Sequence, residues 1–507
     1  MIHFRAGLAV FTARGIIRGL RLIGRGATTL PGRVALKIYP QIVSLLSKDQ
    51  QIIVLTGTNG KTTTTHMVAG ILRSRGFVVI TNVSGANLAT GIATTMIEGI
   101  RIRRLAEKAG KKTVYVIEAD EAAFSKICGP LQPRVCVVTN LFRDQLDRYG
   151  ELVHTQAFIA KGLDATDAAI LLDADDSLVA ALEKGREDRV VFFGMDESSM
   201  TGNIVTNPEN SGMTGDSSSG MPGLGETTSD ASYCSFCQAK YEYRARSFGH
   251  LGAFYCPSCG YSRKEPDFLV SYKAASEQEK KDAMKRGDAL VKGPSDVGFP
   301  VTLTYSGESV TVGLPIPGLH NFYNTAAAVS ACVLLGEKSG EPSLSFAECA
   351  RAIETVQPAF GRMEKIPIGN KSLCLLLVKN PVGLERALSF VSQASDAGGM
   401  YLLLNSNDAD GKDVSWIWDV DFESRTYPEK VFVSGERYGD MYLRLAYAGI
   451  DKDRMQAQPM SNCGMLIDEA LAQCEDGKCL YILPNYTAML ALREILVKRY
   501  QLKDFWK

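Results

Sequence analysis

The sequence carries no net charge: 56 Lys and Arg balance 56 Asp and Glu across 507 residues. Chains built to coat nucleic acid are strongly basic, so this balance argues against that class. No uninterrupted apolar run reaches the roughly 18 residues a membrane-spanning helix needs. The N-terminus does not read as a secretory leader, because the apolar stretch Gly7–Phe11 is short, arginines follow at once, and no small-residue cleavage site stands behind it. A cytoplasmic location is therefore expected. Histidine is scarce: His3, His66, His154, His250 and His320 are all there are, and none neighbours a cysteine motif suggesting a thiolate nucleophile with its base. No internal repeat of solenoid period is present. Twelve cysteines in a reducing compartment do not read as a disulfide framework; metal-ligand spacing is the better question.

What is present is an ordinary globular composition, 45% apolar and 22% charged. The length fits about three domains. The overall neutrality hides one asymmetry, since residues 1–49 carry eight basic side chains against one acid, Asp49. Arg14, Arg18, Arg21 and Arg25 recur at spacings that line one face of a helix. That face is either simply solvated or drawn to an anionic partner such as a membrane surface, where each basic residue is worth about 1 kcal/mol.

Residues 1–50 alternate apolar and basic positions around a Leu30-Pro31-Gly32 break, which predicts a basic region of two short helices. From 51 the pattern alternates strand and helix. Ile52–Leu55, Thr113–Ile117, Val135–Thr139, Ala169–Leu172 and Val190–Phe193 are runs suited to buried parallel strands, with helices such as Thr63–Arg75 between them. The fold class is α/β, doubly wound. Residues 199–232 collapse into Gly, Ser, Thr, Asn and Pro and predict a flexible surface insertion. A small cysteine-bearing module follows at 233–263, and strand and helix return at 300–357 with the apolar helix Asn324–Leu335. A second α/β unit, placed at 361–507, has strands at Leu373–Val378, Met400–Asn405, Val431–Ser434 and Leu480–Pro484.

The strand Ile52–Leu55 runs into Thr56-Gly57-Thr58-Asn59-Gly60-Lys61-Thr62-Thr63 and then a helix. A strand, a glycine-rich turn and a helix N-terminus make a polyphosphate site, with inward N–H groups, a favourable dipole and Lys61 to neutralise the β/γ oxygens. Thr62 is placed to offer its hydroxyl to Mg²⁺. The general phosphate-loop pattern has glycine where this chain has Leu55. The second motif is a pair of C-x₂-C knuckles, Cys234/Cys237 and Cys256/Cys259, eighteen residues apart. Four thiolates at this spacing predict a tetrahedral Cys₄ shell around structural Zn²⁺, which leaves no open position for catalysis. Cys128, Cys136, Cys332, Cys349, Cys374, Cys463, Cys474 and Cys479 lie mostly in apolar runs and read as small core residues.

The loop Gly57-Thr58-Asn59-Gly60-Lys61-Thr62 resembles that of the Mur ligase family, the ATP-dependent ligases of peptidoglycan synthesis and their folate-conjugating relatives. Three further stretches match in order. Ile117-Glu118-Ala119-Asp120-Glu121 implies a Mg²⁺-binding role for Glu118, and Gly318-Leu319-His320-Asn321-Phe322-Tyr323-Asn324 implies a nucleotide contact for Asn324. Gly361-Arg362-Met363-Glu364 is similar to the hinge whose arginine, here Arg362, reaches the phosphates. Two points depart from the pattern. Gln145 stands where most of these ligases have a metal-binding histidine, putting a second Mg²⁺ site in doubt, and Lys161, near the expected carbamylated lysine, reads better as a surface residue. The resemblance implies a Mur ligase-type P-loop ATPase domain over 51–360 interrupted by the zinc ribbon, then a C-terminal Rossmann-like α/β domain.

Within the family, the ribbon together with Asn407–Asp419 and Pro484-Asn485-Tyr486-Thr487-Ala488 is similar to the MurT branch, synthetase subunits of lipid II isoglutaminyl synthases. Lys379-Asn380-Pro381 and Thr29–Arg33 agree with it. That resemblance implies amidation of the D-glutamate α-carboxylate of lipid II to D-isoglutamine through an acyl phosphate. The ammonia would come from a separate GatD-type glutaminase subunit docked on the C-terminal domain. It also implies that Asp413 completes the partner's Cys-His pair in trans; the plainer reading is that Asp408, Asp410 and Asp413 shape a turn and cap a helix. A lipid-linked substrate would suit peripheral contact between residues 1–49 and the inner face of an anionic membrane. Lipid contacts are not assignable from spacing; Asn82–Asn87 near the third expected strand is either a contributor to them or simply a turn. Two other readings stay open: a ligase adding a free amino acid, as folylpolyglutamate synthetases do, and a zinc-ribbon ATPase scaffold, for which nucleic acid is disfavoured by the charge balance.

Overall fold

The computed structural model describes residues 2–22, 28–82, 86–142, 151–200, 231–272, 299–314, 318–356, 362–407 and 410–500. The first sheet is built from β1 (Gln51–Thr56), β2 (Val78–Thr81), β3 (Thr113–Glu118), β4 (Val135–Val138), β5 (Ala169–Asp173) and β6 (Val190–Met195). A ribbon of β7 (Glu242–Arg246) and β8 (Gly252–Tyr255) stands apart, and β9 (Phe268–Ser271), β10 (Phe299–Tyr305) and β11 (Glu308–Leu314) complete the sheet. Its order is β11-β10-β9-β6-β5-β4-β1-β3-β2. Pairing is parallel from β2 to β9 and antiparallel from β9 to β11.

The apolar strands are continuous because both faces are covered. Ile53, Leu55, Val114 and Val116 face one core, shared with the helices Lys61–Ser74 and Leu319–Ser339. Ile52, Val54, Tyr115 and Ile117 face the other, shared with the helices Ile2–Leu22, Ala89–Lys108 and Glu121–Leu131. The second sheet comprises β12 (Arg362–Ile368), β13 (Lys371–Leu376), β14 (Ala397–Leu403), β15 (Val431–Ser434), β16 (Met455–Ala457) and β17 (Cys479–Pro484). They lie in the order β12-β13-β17-β14-β15-β16, parallel except for the β12/β13 hairpin.

Each of the nine runs expected as strands forms one. The strands not foreseen are mostly at edges: β2 is half-exposed, β12 has three charged residues among its first four, and β16 has three residues. The N-terminal region departs from expectation. It holds three helices, Ile2–Leu22, Leu30–Ile38 and Ile42–Ser47, where two short ones were expected. Leu30-Pro31-Gly32 does not break a helix but starts one, since proline in the first turn forfeits no internal hydrogen bond. Gly32 is there for close approach: a Cβ at that position would lie 1.9 Å from the Thr90 carbonyl oxygen, and its N–H donates to Thr94 Oγ1 at 2.9 Å. The eight cysteines outside the knuckles are all buried. Among the described residues no helix is long and apolar enough to cross a membrane.

Candidate nucleotide and metal sites

The phosphate loop leaves the carboxyl end of β1 at the centre of the parallel sheet, where open α/β sheets hold their ligands. Gly57 and Gly60 have φ of +124° and +84°, backbone states that disfavour any other residue. Gly60 caps the helix Lys61–Ser74, so Lys61, Thr62 and Thr63 form its first turn. The Lys61 ammonium curls back to the Gly57 carbonyl, lies 3.3 Å from the Thr58 carbonyl and pairs with Glu121 at 3.0 Å.

A neighbouring segment after β4 staples the loop. Thr58 N–H donates to the Asn140 carbonyl at 2.8 Å, and Asn59 N–H donates to Asn140 Oδ1 at 2.9 Å. Thr58 Oγ1 accepts from Phe142 N–H at 3.0 Å, and Thr139 Oγ1 donates to the Asn59 carbonyl at 2.8 Å. Asn324, 264 positions after Gly60 in sequence, arrives from the helix Leu319–Ser339 and covers the loop. A Cβ on Gly60 would stand 2.2 Å from Asn324 Oδ1, and Thr64 Oγ1 donates to that same oxygen at 3.3 Å.

Glu118 ends β3 beside Leu55 and is buried. Asn82 frames its backbone, accepting from Glu118 N–H and donating to its carbonyl, both at 2.9 Å. The Thr62 hydroxyl and Glu118 carboxylate are hard oxygen donors of the kind Mg²⁺ takes. Residues 83–85 of the Asn82–Asn87 stretch and Gln145 lie outside the described residues, as does the 201–230 part of the insertion. Lys161 is an exposed residue of the helix Glu151–Asp164.

The C-terminal unit reaches the loop directly. Asn380 caps the helix Pro381–Gln393, accepting from Gly383 N–H at 2.8 Å, and donates to Asn59 Oδ1 at 3.3 Å. From the same helix, the Arg386 guanidinium lies 3.9 Å from the Phe248 ring centre and 5.3 Å from that of Phe142. Burial pushes Arg386 down to about 9. Arg362 opens β12 and pairs there with Leu376; its side chain lies outside the described residues.

In the cysteine module, isolated bridges Tyr233↔Lys240 and Tyr255↔Ser262 close each knuckle around the β7/β8 ribbon. The four Sγ atoms lie within 4.8 Å of one another, with Cys234–Cys259 at 3.6 Å and Cys237–Cys256 at 3.4 Å. A tetrahedron with metal–sulfur bonds of about 2.3 Å has edges of about 3.8 Å, so the donor set fits zinc. The Ala239 N–H beside Cys237 holds that thiol below the ordinary cysteine range, while at Cys259, against the Tyr261 N–H, the neighbouring sulfurs push the thiol up to about 12.

The ribbon is anchored to the sheet through buried charge. Arg263 donates from Nε to Asp175 Oδ1 and from Nη2 to the Met195 carbonyl, each at 2.6 Å. Asp175 Oδ2 accepts from the Tyr323 hydroxyl and from Met195 N–H at 2.9 Å. Burial raises the Asp175 carboxyl, with Arg263 opposing the rise, and raises Asp173 well above the usual range, reinforced by Asp175 and Asp176. His250, also buried, places Nε2 3.2 Å from Asp176 Oδ1.

Asp413 lies on the loop that follows β14, at the carboxyl edge of the second sheet, away from the phosphate loop in sequence and sheet. It is half-buried and its Oδ1 accepts from Ser415 N–H at 2.8 Å, the bond expected of a turn residue. Asp410 anchors the same loop by accepting from Thr487 N–H at 2.8 Å and from the Thr487 hydroxyl. Asp408 lies outside the described residues. Nearby, Trp418 stacks edge-on against Tyr447 at 5.5 Å, and both rings are exposed along with Leu443.

Sequence reasoning missed Glu121, Thr139, Asn140, Arg263, Asp175 and Arg386 as parts of these sites. Of these, Glu121 lies inside the Ile117–Glu121 motif and Thr139 ends the expected strand Val135–Thr139, which were the signals the sequence offered.

The chain matches the Mur ligase middle domain family over residues 55–221 and the MurT ligase C-terminal family over residues 377–489. It is 33% identical to the lipid II isoglutaminyl synthase (glutamine-hydrolyzing) subunit MurT of Streptococcus pneumoniae, covering 98% of each chain. It is 28% identical to the protein of the same description from Staphylococcus aureus, covering 98% of this chain and 99% of the other. Among solved structures, MurF from Acinetobacter baumannii superposes with a TM-score of 0.62 at 15% identity, over 93% of this chain and 81% of that one. A pseudomurein peptide ligase type C from Methanothermus fervidus gives 0.59 at 18% identity, over 90% and 81%. These two likenesses establish a common fold.

Proposed function

Because the chain belongs to the MurT family of Mur ligase-type proteins, we propose that it is the synthetase subunit of a lipid II isoglutaminyl synthase, amidating the D-glutamate α-carboxylate of the lipid II stem peptide at the expense of ATP. The observation that carries this is the end-to-end match, at 98% of both chains, to a protein so described. A free amino-acid ligase and a nucleic-acid scaffold have no comparable support.

A carboxylate resists substitution because its leaving group would be oxide. In the proposed reaction a carboxylate oxygen bonds to the γ-phosphorus as the bond to ADP breaks, giving an acyl phosphate. Ammonia then bonds to the acyl carbon, phosphate departs, and nitrogen loses a proton. The loop N–H groups and Lys61 hold the phosphates and offset charge on the transferring group. Asn324 seats the loop, Arg362 supplies a further positive charge from the hinge, and Thr62 and Glu118 hold Mg²⁺. Bound there, Mg²⁺ neutralises phosphate oxygens. The Asn380–Asn59 bond supports closure of the C-terminal unit onto the nucleotide. The Cys₄ cluster holds structural zinc.

None of the five histidines neighbours a cysteine motif suited to hydrolysing glutamine, so ammonia comes from a GatD-type glutaminase subunit in a heterodimer. The exposed Trp418, Leu443 and Tyr447 near the Asp413 loop support docking there, with Asp413 orienting the partner's histidine. The basic residues of 1–49 support peripheral contact with an anionic membrane, where the lipid-linked substrate resides.

The test is the Asp413→Asn variant in the purified complex. Glutamine hydrolysis should fall by at least about a hundredfold while ATP binding is retained. Unchanged hydrolysis would restrict Asp413 to its turn with Ser415.

A further inference from the structure

The helix Ile2–Leu22 has two opposite apolar faces. Ala6, Ala9, Ala13 and Ile17 are buried against the rest of the fold. On the other side Phe4, Leu8, Phe11 and Leu22 are exposed, at 75%, 45%, 77% and 87% of their surface. At about 100° per residue, Phe4, Leu8, Phe11, Gly15, Arg18 and Leu22 share a stripe about 80° wide, directly opposite the buried alanines. A solvated helix face is polar; this one carries two phenylalanines and two leucines.

The charges around the stripe say what covers it. Arg5, Arg14, Arg18 and Arg21 lie within it or along its margins, and the helix contains no Asp or Glu. Arg5 and Arg18 are exposed, Arg14 is half-buried, and among the described residues only Arg21 pairs with an acid of the fold, Glu98. An apolar stripe bordered by arginine is the pattern of a helix lying in a bilayer interface, its apolar side sunk about 5–10 Å and its cations among anionic headgroups.

We infer that the Phe4–Leu8–Phe11–Leu22 face of the first helix inserts into the surface of an anionic bilayer and holds the enzyme against it. The inference rests on the membrane reading above and adds which face is wetted by lipid. It assigns the apolar residues a part at least as large as that of the arginines. The small buried side chains Ala6, Ala9 and Ala13 bring the helix close to its neighbours and leave the aromatic side outermost.

The test uses the full chain with vesicles of phosphatidylcholine alone or of phosphatidylcholine with phosphatidylglycerol. Wild type should co-sediment with the anionic vesicles and release at high salt. The Phe4→Ser/Phe11→Ser double variant should bind at least about tenfold more weakly, with an unchanged melting temperature because the exposed rings support nothing inside the fold. In the Phe11→Trp variant, brominated lipid should quench added tryptophan emission. Undiminished binding by the double variant, or no quenching on bound vesicles, would overturn the face assignment while sparing membrane contact. Failure of wild type to bind anionic vesicles would overturn both, and would turn the face toward a protein partner.

Discussion

Replacing Arg263 by methionine removes the cation that ties the cysteine ribbon to the sheet. The guanidinium is nearly inaccessible, at 2% side-chain exposure, and its two 2.6 Å contacts go to Asp175 and the Met195 carbonyl. Removing one partner of a buried pair costs about 3–5 kcal/mol, because the other is left charged in a poor solvent. Tyr323 and Met195 N–H still serve Asp175 Oδ2, so the loss does not exceed that range. At about 2 °C per kcal/mol for a unit of this size, the melting midpoint should fall by about 6–10 °C.

The penalty should also depend on pH. Burial already raises the Asp175 carboxyl, and losing Arg263 raises it further. A carboxyl whose folded pKa lies above its unfolded one contributes stability below the unfolded pKa and loses it as pH rises through the folded value. The variant should therefore be less impaired at pH 5 than at pH 8. Adding Asp175→Asn should recover part of the loss, as a coupled pair requires. Calorimetry on the four proteins at both pH values measures this. A cost below about 1 kcal/mol, or strict additivity, would show that the pair does not hold the ribbon in place.

Gly60→Ala forces a side chain into a left-handed conformation and against Asn324 Oδ1, so ATP affinity measured by titration calorimetry should drop at least about tenfold. Unaltered affinity would remove Asn324 from the nucleotide seat. Chelation, or Cys237→Ser, should release one zinc per chain by atomic absorption and increase hydrogen exchange across 233–263; a metal-free ribbon with full protection would refute the zinc site. Asp173→Asn should melt higher than wild type by a margin that grows from pH 5 to pH 9, because the raised Asp173 carboxyl ionises in the fold only at a cost. A margin independent of pH would place Asp173 in solvent contact.

The local features of this chain were legible because their chemistry is contiguous. Thr56–Thr63 announces itself by strand end, turn and helix start in eight residues, and four cysteines at knuckle spacing need no fold to be paired. The buried parallel strands show as unbroken apolar runs for the same reason that two cores cover them. Asn324, by contrast, entered only through resemblance, since nothing near it in sequence mentions a phosphate. The Arg263–Asp175–Tyr323 network was invisible: its members lie on three segments that only the fold brings together. Gly32 was misread because a glycine at a close contact between helices and one in a turn look alike in sequence. Phe4, Leu8 and Phe11 were passed over for their arginine neighbours, since the burial of the opposite alanines is what makes their exposure meaningful.

The most direct measurement is amidation of lipid II by the purified chain without its partner, with ammonium chloride and ATP supplied, followed by mass spectrometry and ADP release. A synthetase subunit should convert the D-glutamate carboxylate to the amide and release one ADP per amide formed. No ADP release with ammonia and lipid II present, or turnover only with a free amino acid, would contradict the assignment.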